Sequence, residues 1–463
     1  MLGHHVFVTN VGGAGMSAVA VLLAERGHRV TGHDPAPTTP YVETLRSLGV
    51  DVRTGPDHEA LPDDVATVVV STATPTDAPE VVAAHDRGIP VLHRAAALAE
   101  LCAARSTVAV AGTHGKSTTA AMLATILAGA GLDPGWVVGA PVPGLGRNAA
   151  WGGDGPLIVE ADESDSTFLA LPTTVAVVTN VEPDHIEHYG DFGTLVEAFE
   201  QFLGHASGAR LVGADDDLVR DLGRAAGAST VGTAPEADLR IVDLRPDNGG
   251  TRFSLARQAA STAEPAPVEV HVPMPGQHNA RNAAVALAAA EAVGVPLDKA
   301  VEALAAFRGV GRRFEARGAA WGATLIDDYA HLPAEVAAAI SAARDLMTST
   351  GRGRVVCVFQ PHRFSRTATL WRDFADAFVG ADRVAITDVY AAGEKPRPGV
   401  SGKLVLDAVL DAHPWHHVAY LPRLDDVVTW LRATLRPGDV CLTLGAGDLT
   451  TVPTRLVELS EKR

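Results

Sequence analysis

A glycine-rich loop that carries a lysine and a hydroxyl side chain is the segment whose residue types most directly predict chemistry. The apolar run Thr107–Ala111 leads into GTHGKS at positions 112–117, and helix-forming residues follow over 118–130. Backbone amides of such a turn, at the positive end of a helix, bind phosphate groups. Lys116 can reach the β- and γ-phosphates, and the Ser117 hydroxyl suits the accompanying Mg²⁺. The first glycine is closer to the Gly-Lys pair than in the full Walker A pattern. Even so, the strand–loop–helix context favours an ATP site over a surface turn.

An acidic turn follows the next apolar strand, Leu157–Glu160. Positions 160, 162, 163 and 165 are all Asp or Glu, and such a cluster repels itself unless a metal ion or solvent screens it. Hard oxygen ligands at the carboxyl end of a strand suit the Mg²⁺ that bridges nucleotide phosphates. Glu160 is nearest the strand, so we expect it to be the bridging ligand; a solvated acidic turn is the alternative.

A histidine stands at the end of one further strand, Val175–Thr179, in the segment TNVEPDH over 179–185. The chain has 18 His, so one histidine alone indicates little. Carboxyl ends of parallel strands meet at one edge of a sheet, which would bring His185 to the edge that carries Ser117 and Glu160. We therefore expect His185 to bind a second Mg²⁺.

The N-terminus contains a second phosphate-binding pattern. The strand at 5–8 is followed by GAGMSA over 13–18, which fits G-x-G-x-x-A, and Asp34 lies 19 residues after Gly15. This fingerprint predicts a nicotinamide-dependent dehydrogenase or, equally, a site for another nucleotide diphosphate such as a UDP-sugar. The residues themselves do not distinguish a nicotinamide dinucleotide from a UDP-sugar as the ligand.

Taken in order, these motifs resemble those of the Mur ligases, the ATP-dependent amide-forming enzymes of peptidoglycan assembly. GTHGKST, the TN-x-x-x-DH segment, HN-x-x-N over 278–282, R-x-E over 313–315, DDYAHLP over 327–333 and FQPHR over 359–363 follow the family pattern along nearly the whole chain. Most Mur ligases also use a carbamylated lysine, but no lysine lies between 117 and 298. In lacking this lysine, the chain resembles the alanine-adding branch of the family. Asn10, Ala18, Ala330 and Leu332 depart from the family motifs.

The resemblance implies a set of site residues. Catalytic roles fall to Lys116, Glu160, His185 and Arg313, and metal binding to Ser117, Glu160 and His185. The expected nucleotide contacts are Gly112, Thr113, His114, Gly115, Lys116, Ser117, Thr118, Asn279, Arg313, Asp328 and Tyr329. The expected substrate contacts are Gly12, Gly13, Ala14, Gly15, Met16, Ser17, Ser71, Arg94, Asn180, His331, Arg363 and Arg366.

The implied activity is the joining of L-alanine to the lactyl carboxylate of UDP-N-acetylmuramate. ATP would phosphorylate that carboxylate with the help of two Mg²⁺, and the alanine amine would then attack the acyl phosphate. Three alternatives remain within the fold: a murein peptide ligase that attaches a recycled tripeptide, a folylpolyglutamate-type ligase and a nucleotide sensor without activity. The dehydrogenase hypothesis is the fourth, and it leaves residues 112–117 and the acidic turn unexplained.

The elements that would position these residues are short β-branched strands alternating with Ala/Leu-rich helices, a pattern typical of parallel α/β sheets. Further strands are predicted at 65–71, 355–360, 383–388 and 440–444. We expect a Rossmann-like UDP-sugar domain over 1–105, a P-loop ATPase-like domain over 106–317 and a Rossmann-like domain that binds the amino acid and closes over the nucleotide over 318–463. A helix is expected to end near Arg317, and a long loop is predicted over 258–267.

Composition excludes other classes. The chain has 463 residues, with 38 basic and 55 acidic side chains and a net charge of −17. This charge argues against nucleic acid and anionic membranes as partners. Neither a transmembrane run nor a signal peptide is evident, and three cysteines are too few for a disulfide framework, so a cytoplasmic protein is expected.

Overall fold

The computed structural model describes residues 2–36, 39–55, 61–247, 249–258, 266–350 and 353–462, without the side chains of 187 and 348–350. The chain forms two compact units. The first comprises Met1–Val242, Ser254–Val270 and Arg281–Arg308, and the second comprises Asp243–Phe253, His271–Ala280 and Gly309–Arg463. Most of the predicted loop over 258–267 lies outside the described residues.

The N-terminal sheet has the strand order β3-β2-β1-β4-β5, and its neighbouring strands pair in parallel. The chain reverses its direction of travel across the sheet between β1 and β4, which is where such folds bind ligands beyond the carboxyl ends of the strands. Its strands are β1 (His5–Thr9), β2 (Arg29–Asp34), β3 (Asp51–Thr54), β4 (Thr67–Val70) and β5 (Val91–His93). Its helices are α1 (Ala14–Glu25), α2 (Pro40–Ser47), α3 (Pro79–Asp86) and α4 (Arg94–Ala103).

The middle sheet has the order β15-β14-β13-β12-β11-β10-β6-β9-β7-β8. Its central strand β6 pairs in parallel with both β9 and β10. The strands are β6 (Thr107–Ala111), β7 (Gly135–Val142), β8 (Arg147–Ala150), β9 (Leu157–Glu160), β10 (Val175–Val178), β11 (Arg210–Gly213), β12 (Ser229–Gly232), β13 (Leu239–Asp247), β14 (Gly250–Arg257) and β15 (Val268–Val272). The helices are α5 (Lys116–Gly129), α6 (Ile186–Tyr189), α7 (Phe192–His205), α8 (Asp217–Ala226), α9 (Gln277–Ala292) and α10 (Leu297–Leu304).

The third sheet belongs to the second unit and has the order β16-β17-β21-β18-β19-β20, in which only β16 and β17 pair antiparallel. The strands are β16 (Glu315–Ala320), β17 (Ala323–Asp328), β18 (Val355–Phe359), β19 (Arg383–Ile386), β20 (Val418–Tyr420) and β21 (Val440–Leu444). The helices are α11 (Pro333–Thr350), α12 (Phe364–Leu370), α13 (Lys403–Ala412), α14 (Leu424–Thr434) and α15 (Val452–Glu461).

Burial explains why these segments become strands and helices. Strands β6, β10, β18 and β21 are buried at every position, as expected of parallel strands covered on both faces. Helix α5 is buried from Ser117 to Leu127, which explains its apolar residues on all sides. Within the described ranges, no helix is long and apolar enough to cross a membrane.

One expectation about local structure is wrong. Position 317 lies inside strand β16, and the preceding helix α10 already ends at Leu304. Residues 315–320 read EARGAA, which lacks β-branched residues, but pairing with β17 holds them in a strand despite their propensity. The expected domain boundaries at 105 and 317 stay predictions.

Candidate active site

The phosphate loop connects the central strand β6 to helix α5 in the first unit. Gly112 has φ +130°, and a Cβ there would lie 2.2 Å from Thr179 Oγ1 and 2.9 Å from the Asn180 carbonyl oxygen. Gly115 has φ +82° and begins α5 without a side-chain cap, so the first amides of the helix keep their donors. A Cβ on Gly115 would meet Asn282 Oδ1 at 2.4 Å. Both glycines are therefore required for a turn that presents backbone amides.

The Lys116 ammonium lies against the loop that it follows. Its Nζ donates to the carbonyl oxygens of Gly112 (2.5 Å) and Thr113 (3.2 Å) and to Glu163 Oε1 (2.8 Å). Burial works to lower the pKa of Lys116, but the negative charges of Glu163 and Asp162 outweigh burial and raise it. Lys116 therefore stays charged, as a phosphate ligand must.

Glu163 is the buried partner of that lysine, with only 2% of its side chain exposed. Burial raises the pKa of Glu163 to about 7, although the charge of Lys116 acts in the opposite direction. Its second oxygen, Oε2, is buried and has no hydrogen-bond partner within the described part of the chain. An acceptor left unpaired this close to Lys116 indicates a site that is completed by another group.

Ser117 and Glu160 form the oxygen pair expected of a metal site. The Ser117 hydroxyl donates to Glu160 Oε1 over 2.7 Å, and the Gly139 amide donates to Glu160 Oε2 over 2.6 Å. The contact exists because β9 and β6 are parallel neighbours, which places the end of β9 beside the start of α5. Hard oxygen donors beside a phosphate loop fit Mg²⁺. Together with the glycine turn and Lys116, these residues fit a magnesium–nucleotide complex.

The segment after β10, residues 179–185, is hydrogen-bonded to the phosphate loop. The Asn180 side chain accepts from the His114 amide (2.8 Å) and donates to the His114 carbonyl (2.9 Å), while the Glu182 amide donates to the Thr113 hydroxyl (2.8 Å). Asn180, expected to contact substrate, is thus committed to holding His114 in place. His185 follows in the same segment, and its Nε2 lies 3.4 Å from Asp184 Oδ2.

The three expected metal ligands are not equally supported. The structure brings Ser117 and Glu160 into direct contact, whereas the contact described for the His185 ring is with Asp184. Among the residues that the structure describes, no group of three or more His, Cys, Asp or Glu side chains could hold a metal ion. A role for His185 in binding a second Mg²⁺ stays a prediction.

The N-terminal loop runs from β1 to α1. Both oxygens of Asp34 are used by backbone amides, Oδ2 by Gly12 (2.7 Å) and Oδ1 by Ala36 (2.9 Å), and the side chain is buried. A dehydrogenase would use this acid for the ribose hydroxyls of its dinucleotide. Here Asp34 instead supports the loop, and this argues against the dehydrogenase hypothesis.

Arg94 stands over the start of α1. A Cβ on Gly15 would lie 2.5 Å from Arg94 Nη1, and Arg94 Nη2 donates to Asp165 Oδ2 over 3.1 Å. Helix α1 begins at Ala14 without a side-chain cap. Arg94 and the uncapped backbone amides at the start of α1 form a site for an anion such as a diphosphate. Met16 and Ser17 are buried, so their side chains lie in the core.

A second group of polar residues surrounds Ser71 at the end of β4. The Thr74 hydroxyl lies 2.9 Å from Thr9 Oγ1, 3.3 Å from Ser71 Oγ and 3.1 Å from Asn10 Nδ2. It thus joins the ends of β1 and β4, the strands between which the order reverses. Asn10, where the family loop has glycine, adopts the left-handed conformation with φ +48°, which asparagine tolerates better than most residues.

The second unit carries Arg313, an expected phosphate ligand, beside Arg312. The guanidinium carbons of Arg312 and Arg313 lie 4.9 and 5.1 Å from the centre of the Tyr329 ring. Arg312 donates to the carbonyls of Gly445 and Gly447, so it holds the loop after β21. Within the described residues the Arg313 guanidinium makes no hydrogen bond or ion pair, so its donors are available to a ligand.

Asp328, the last residue of β17, holds the segment directly after Arg313. Its oxygens accept from the amides of Phe314 (2.7 Å) and Ala330 (2.7 Å). Burial raises the pKa of Asp328 to about 6, with the charge of Arg313 acting in the opposite direction. Asn279, in the same unit, is buried and donates to the Pro275 carbonyl over 2.8 Å, which uses one of the two N–H donors of its side-chain amide.

Aromatic rings line the segment that contains FQPHR. His331 and His362 have ring centres 5.7 Å apart, and Tyr390 stacks on His362 at 5.9 Å. Arg366 Nη1 donates to His362 Nδ1 over 3.0 Å. Arg363 begins α12 with φ +66°. His331, Arg363 and Arg366 thus belong to one region of the second unit.

Residues that the sequence patterns missed are mainly supporting ones. Asn282 contacts the phosphate loop from α9, Thr74 joins two strand ends, and Asn148 Nδ2 donates to the Ala14 carbonyl over 3.2 Å. The second asparagine of HN-x-x-N was the available signal for Asn282, whereas a lone threonine such as Thr74 carries none. Ala330 and Leu332, the departures from the family motif, are buried in the core.

Comparison with family models matches three successive parts of the chain. Residues 5–106 match the Mur ligase family catalytic domain, residues 156–290 the Mur ligase middle domain, and residues 312–447 the Mur ligase glutamate ligase domain. These matches cover most of the chain in the order expected from its motifs.

Proteins that align with nearly the whole chain indicate the same family. The chain is 44% identical to the UDP-N-acetylmuramate–L-alanine ligase of Kineococcus radiotolerans, over 99% of this chain and 96% of that protein. It is 41% identical to the ligase of the same name from Thermobifida fusca, over 99% and 96%. The crystal structure of the Thermotoga maritima UDP-N-acetylmuramate–alanine ligase superposes with a TM-score of 0.82 at 27% identity, covering 99% of each chain. A murein peptide ligase from Psychrobacter arcticus shares the fold, with a TM-score of 0.69 at 24% identity over 98% of each chain. On the family matches and this full-length identity, the chain belongs to the Mur ligase family.

Proposed function

We propose that this protein is an ATP-dependent ligase that joins L-alanine to the lactyl carboxylate of UDP-N-acetylmuramate in peptidoglycan synthesis. One observation carries the proposal: the phosphate loop, Lys116 and the Ser117–Glu160 pair form one site in a chain aligned end to end with ligases of that name. A cytoplasmic location follows as part of the same proposal.

The nucleotide would be held by the loop of the first unit. Amides at the start of α5 would face the phosphates, Lys116 would exchange the loop carbonyls for phosphate oxygens, and Ser117 and Glu160 would hold the Mg²⁺. We assign a second Mg²⁺ to His185. Bound Mg²⁺ neutralises charge on the transferring phosphoryl group. The protein's own contribution is to position and to neutralise, because phosphoryl transfer needs little covalent chemistry from side chains.

The UDP-sugar would occupy the N-terminal loop. Residues 12–15 and Arg94 face its diphosphate, and Ser71 lies at the neighbouring strand end. The lactyl carboxylate then attacks the γ-phosphorus and ADP leaves, which gives an acyl phosphate. The alanine amine attacks the carbonyl carbon, and inorganic phosphate leaves from the tetrahedral intermediate. The amine loses a proton as the amide forms, and the released phosphate keeps one oxygen of the original carboxylate.

Taken by itself, the second unit carries further candidate ligands. Arg313 has unused donors for phosphate, and Asn279, Asp328 and Tyr329 are assigned to the nucleotide. Arg363 and Arg366 offer forked donors for a carboxylate, with His331 beside them. We assign these three to the amino-acid substrate and its activated partner.

The test is phosphate release from Mg-ATP with UDP-N-acetylmuramate, run in parallel with L-alanine, with the tripeptide L-Ala-γ-D-Glu-meso-diaminopimelate and with neither. The proposal predicts release that depends on L-alanine. Release with the tripeptide alone would assign the protein to murein peptide recycling. The Lys116→Ala variant serves as the control for contaminating phosphatases, since it should release no phosphate above background.

A further inference from the structure

The acidic turn after β9 contacts both predicted phosphate sites of the first unit. Glu160 accepts from Ser117, and Glu163 pairs with Lys116 at 2.8 Å, so these two carboxylates serve the nucleotide loop. Asp165, two residues further on, pairs instead with Arg94 at 3.1 Å. Asp165 is thus a carboxylate of this turn that contacts the N-terminal site rather than the phosphoryl-transfer site.

Arg94 is held in a defined place by this contact. Its Nη2 donates to Asp165, while its Nη1 lies over Gly15 at the first turn of α1. Within the described residues Nη1 has no hydrogen-bond partner. Both side chains of the pair are 21% exposed, so the interaction is shielded from solvent more than a surface ion pair is.

Asp165 is itself fixed by the backbone. Its Oδ1 accepts from the Thr167 amide over 3.1 Å, at the start of a short 3₁₀ helix over Thr167–Ala170. Although burial acts to raise it, the hydrogen bonds from Thr167 and the charge of Arg94 lower the pKa of Asp165. The carboxylate therefore stays charged, and a long arginine side chain is immobilised before any ligand arrives, which lowers the entropy lost on binding.

We propose that Asp165 is a positioning residue for the UDP-sugar: it holds the Arg94 guanidinium over the start of α1, so that Nη1 is preset to receive the diphosphate. This role rests on the proposed function, because it requires a nucleotide diphosphate in the N-terminal loop. It also ties that loop to the turn that carries Glu160 and Glu163.

The diagnostic variant is Asp165→Asn, which keeps Oδ1 as the acceptor for Thr167 but removes the charge that holds Arg94. Titration calorimetry with UDP-N-acetylmuramate should show binding weakened about tenfold, the scale of one charge-assisted hydrogen bond in a partly exposed pair. The KM for UDP-N-acetylmuramate should rise by a similar factor. The KM for ATP and kcat should stay within about twofold, a split that general loss of structure would not produce.

Two further variants establish that the effect passes through Arg94. In an Arg94→Gln background, adding Asp165→Asn should weaken binding by less than about twofold, because coupled residues are not additive. Asp165→Glu, which keeps the charge, should bind within about threefold of wild type. Glu25→Gln is the matched control: Glu25 pairs with Arg147 at the other end of α1 and should leave UDP-sugar binding unchanged.

The outcomes are distinct. Wild-type affinity in Asp165→Asn, or full additivity with Arg94→Gln, would overturn the role of Asp165 while leaving the proposed function intact. Failure of the wild-type protein to bind UDP-N-acetylmuramate would overturn the proposed function and this role with it. If Asp165→Asn does not fold, the deciding variant is Arg94→Lys, which keeps the positive charge but loses the forked geometry of the guanidinium. The proposal predicts that Arg94→Lys binds UDP-N-acetylmuramate about tenfold more weakly, and wild-type affinity in this variant would contradict it.

Discussion

Replacing Gly112 with alanine tests whether the phosphate loop depends on close contact with the segment after β10. Gly112 has φ +130°, a conformation reserved for glycine, and its would-be Cβ lies 2.2 Å from Thr179 Oγ1, 2.9 Å from the Asn180 carbonyl oxygen and 3.0 Å from the Thr179 amide nitrogen. Two of these three atoms are backbone atoms of the half-buried segment directly after β10, and they cannot move aside as a side chain could.

The expected cost has two parts. A non-glycine residue in this backbone region costs about 1–3 kcal/mol. Forcing an extra methyl group into a packed site costs about 1–3 kcal/mol more. Gly55 provides a matched control, because its φ is +125° and no atom of the residues that the structure describes lies within 4 Å of its would-be Cβ. Gly55→Ala should therefore carry the first cost alone.

Thermal unfolding measures the loss of stability, and nucleotide binding measures the damage to the phosphate loop. For a domain of this size each kcal/mol lowers Tm by about 2–4 °C, so Gly112→Ala should unfold several degrees below Gly55→Ala. Displacement of residues 112 and 113 also moves two carbonyls that hold Lys116, so Gly112→Ala should lose affinity for an ATP analogue at least about tenfold. Equal losses of Tm in the two variants, or unchanged nucleotide affinity in Gly112→Ala, would refute this reasoning.

Three more predictions concern single side chains. Lys116→Ala should lower kcat at least about 10³-fold in the phosphate-release assay, whereas a loss below tenfold would count against its role. Arg313→Ala should lower kcat and keep Tm, while Arg312→Ala, which removes the donor to Gly445, should lower Tm; the reverse pattern would contradict the assignment. Burial, with nearby His331 and Arg366, lowers the pKa of His362 to about 3, so this histidine should cost stability as pH drops from 6.5 towards 3; in urea titrations the unfolding free energy of His362→Gln relative to wild type should rise over that range, and a constant difference would contradict this.

Much of the nucleotide site could be predicted from sequence because its ligands stand at strand ends. Thr107–Ala111, Leu157–Glu160 and 175–179 are short apolar runs, and parallel packing alone requires their polar ends to share one edge. The pairing of β6 with β9 and β10 confirms that the ends carrying Ser117, Glu160 and His185 belong to neighbouring strands.

Supporting residues could not be predicted because their partners are distant in sequence. Asn282 contacts Gly115 from a helix more than a hundred residues away, and Arg94 meets Asp165 across 71 positions. The spacing of Asp34 from Gly15 suggested a ribose ligand, but spacing does not reveal that backbone amides use both of its oxygens. Likewise, β16 is a strand through its pairing with β17 rather than through its own composition.

The most direct test of the central claim follows the oxygen atoms of the substrate. UDP-N-acetylmuramate with an ¹⁸O-labelled lactyl carboxylate is incubated with Mg-ATP and L-alanine, and product and phosphate are analysed by mass spectrometry. The proposed function predicts a UDP-sugar heavier by one alanine residue and phosphate that carries one ¹⁸O, because the carboxylate is phosphorylated before the amine attacks. Unlabelled phosphate, or no alanine-dependent product, would contradict it.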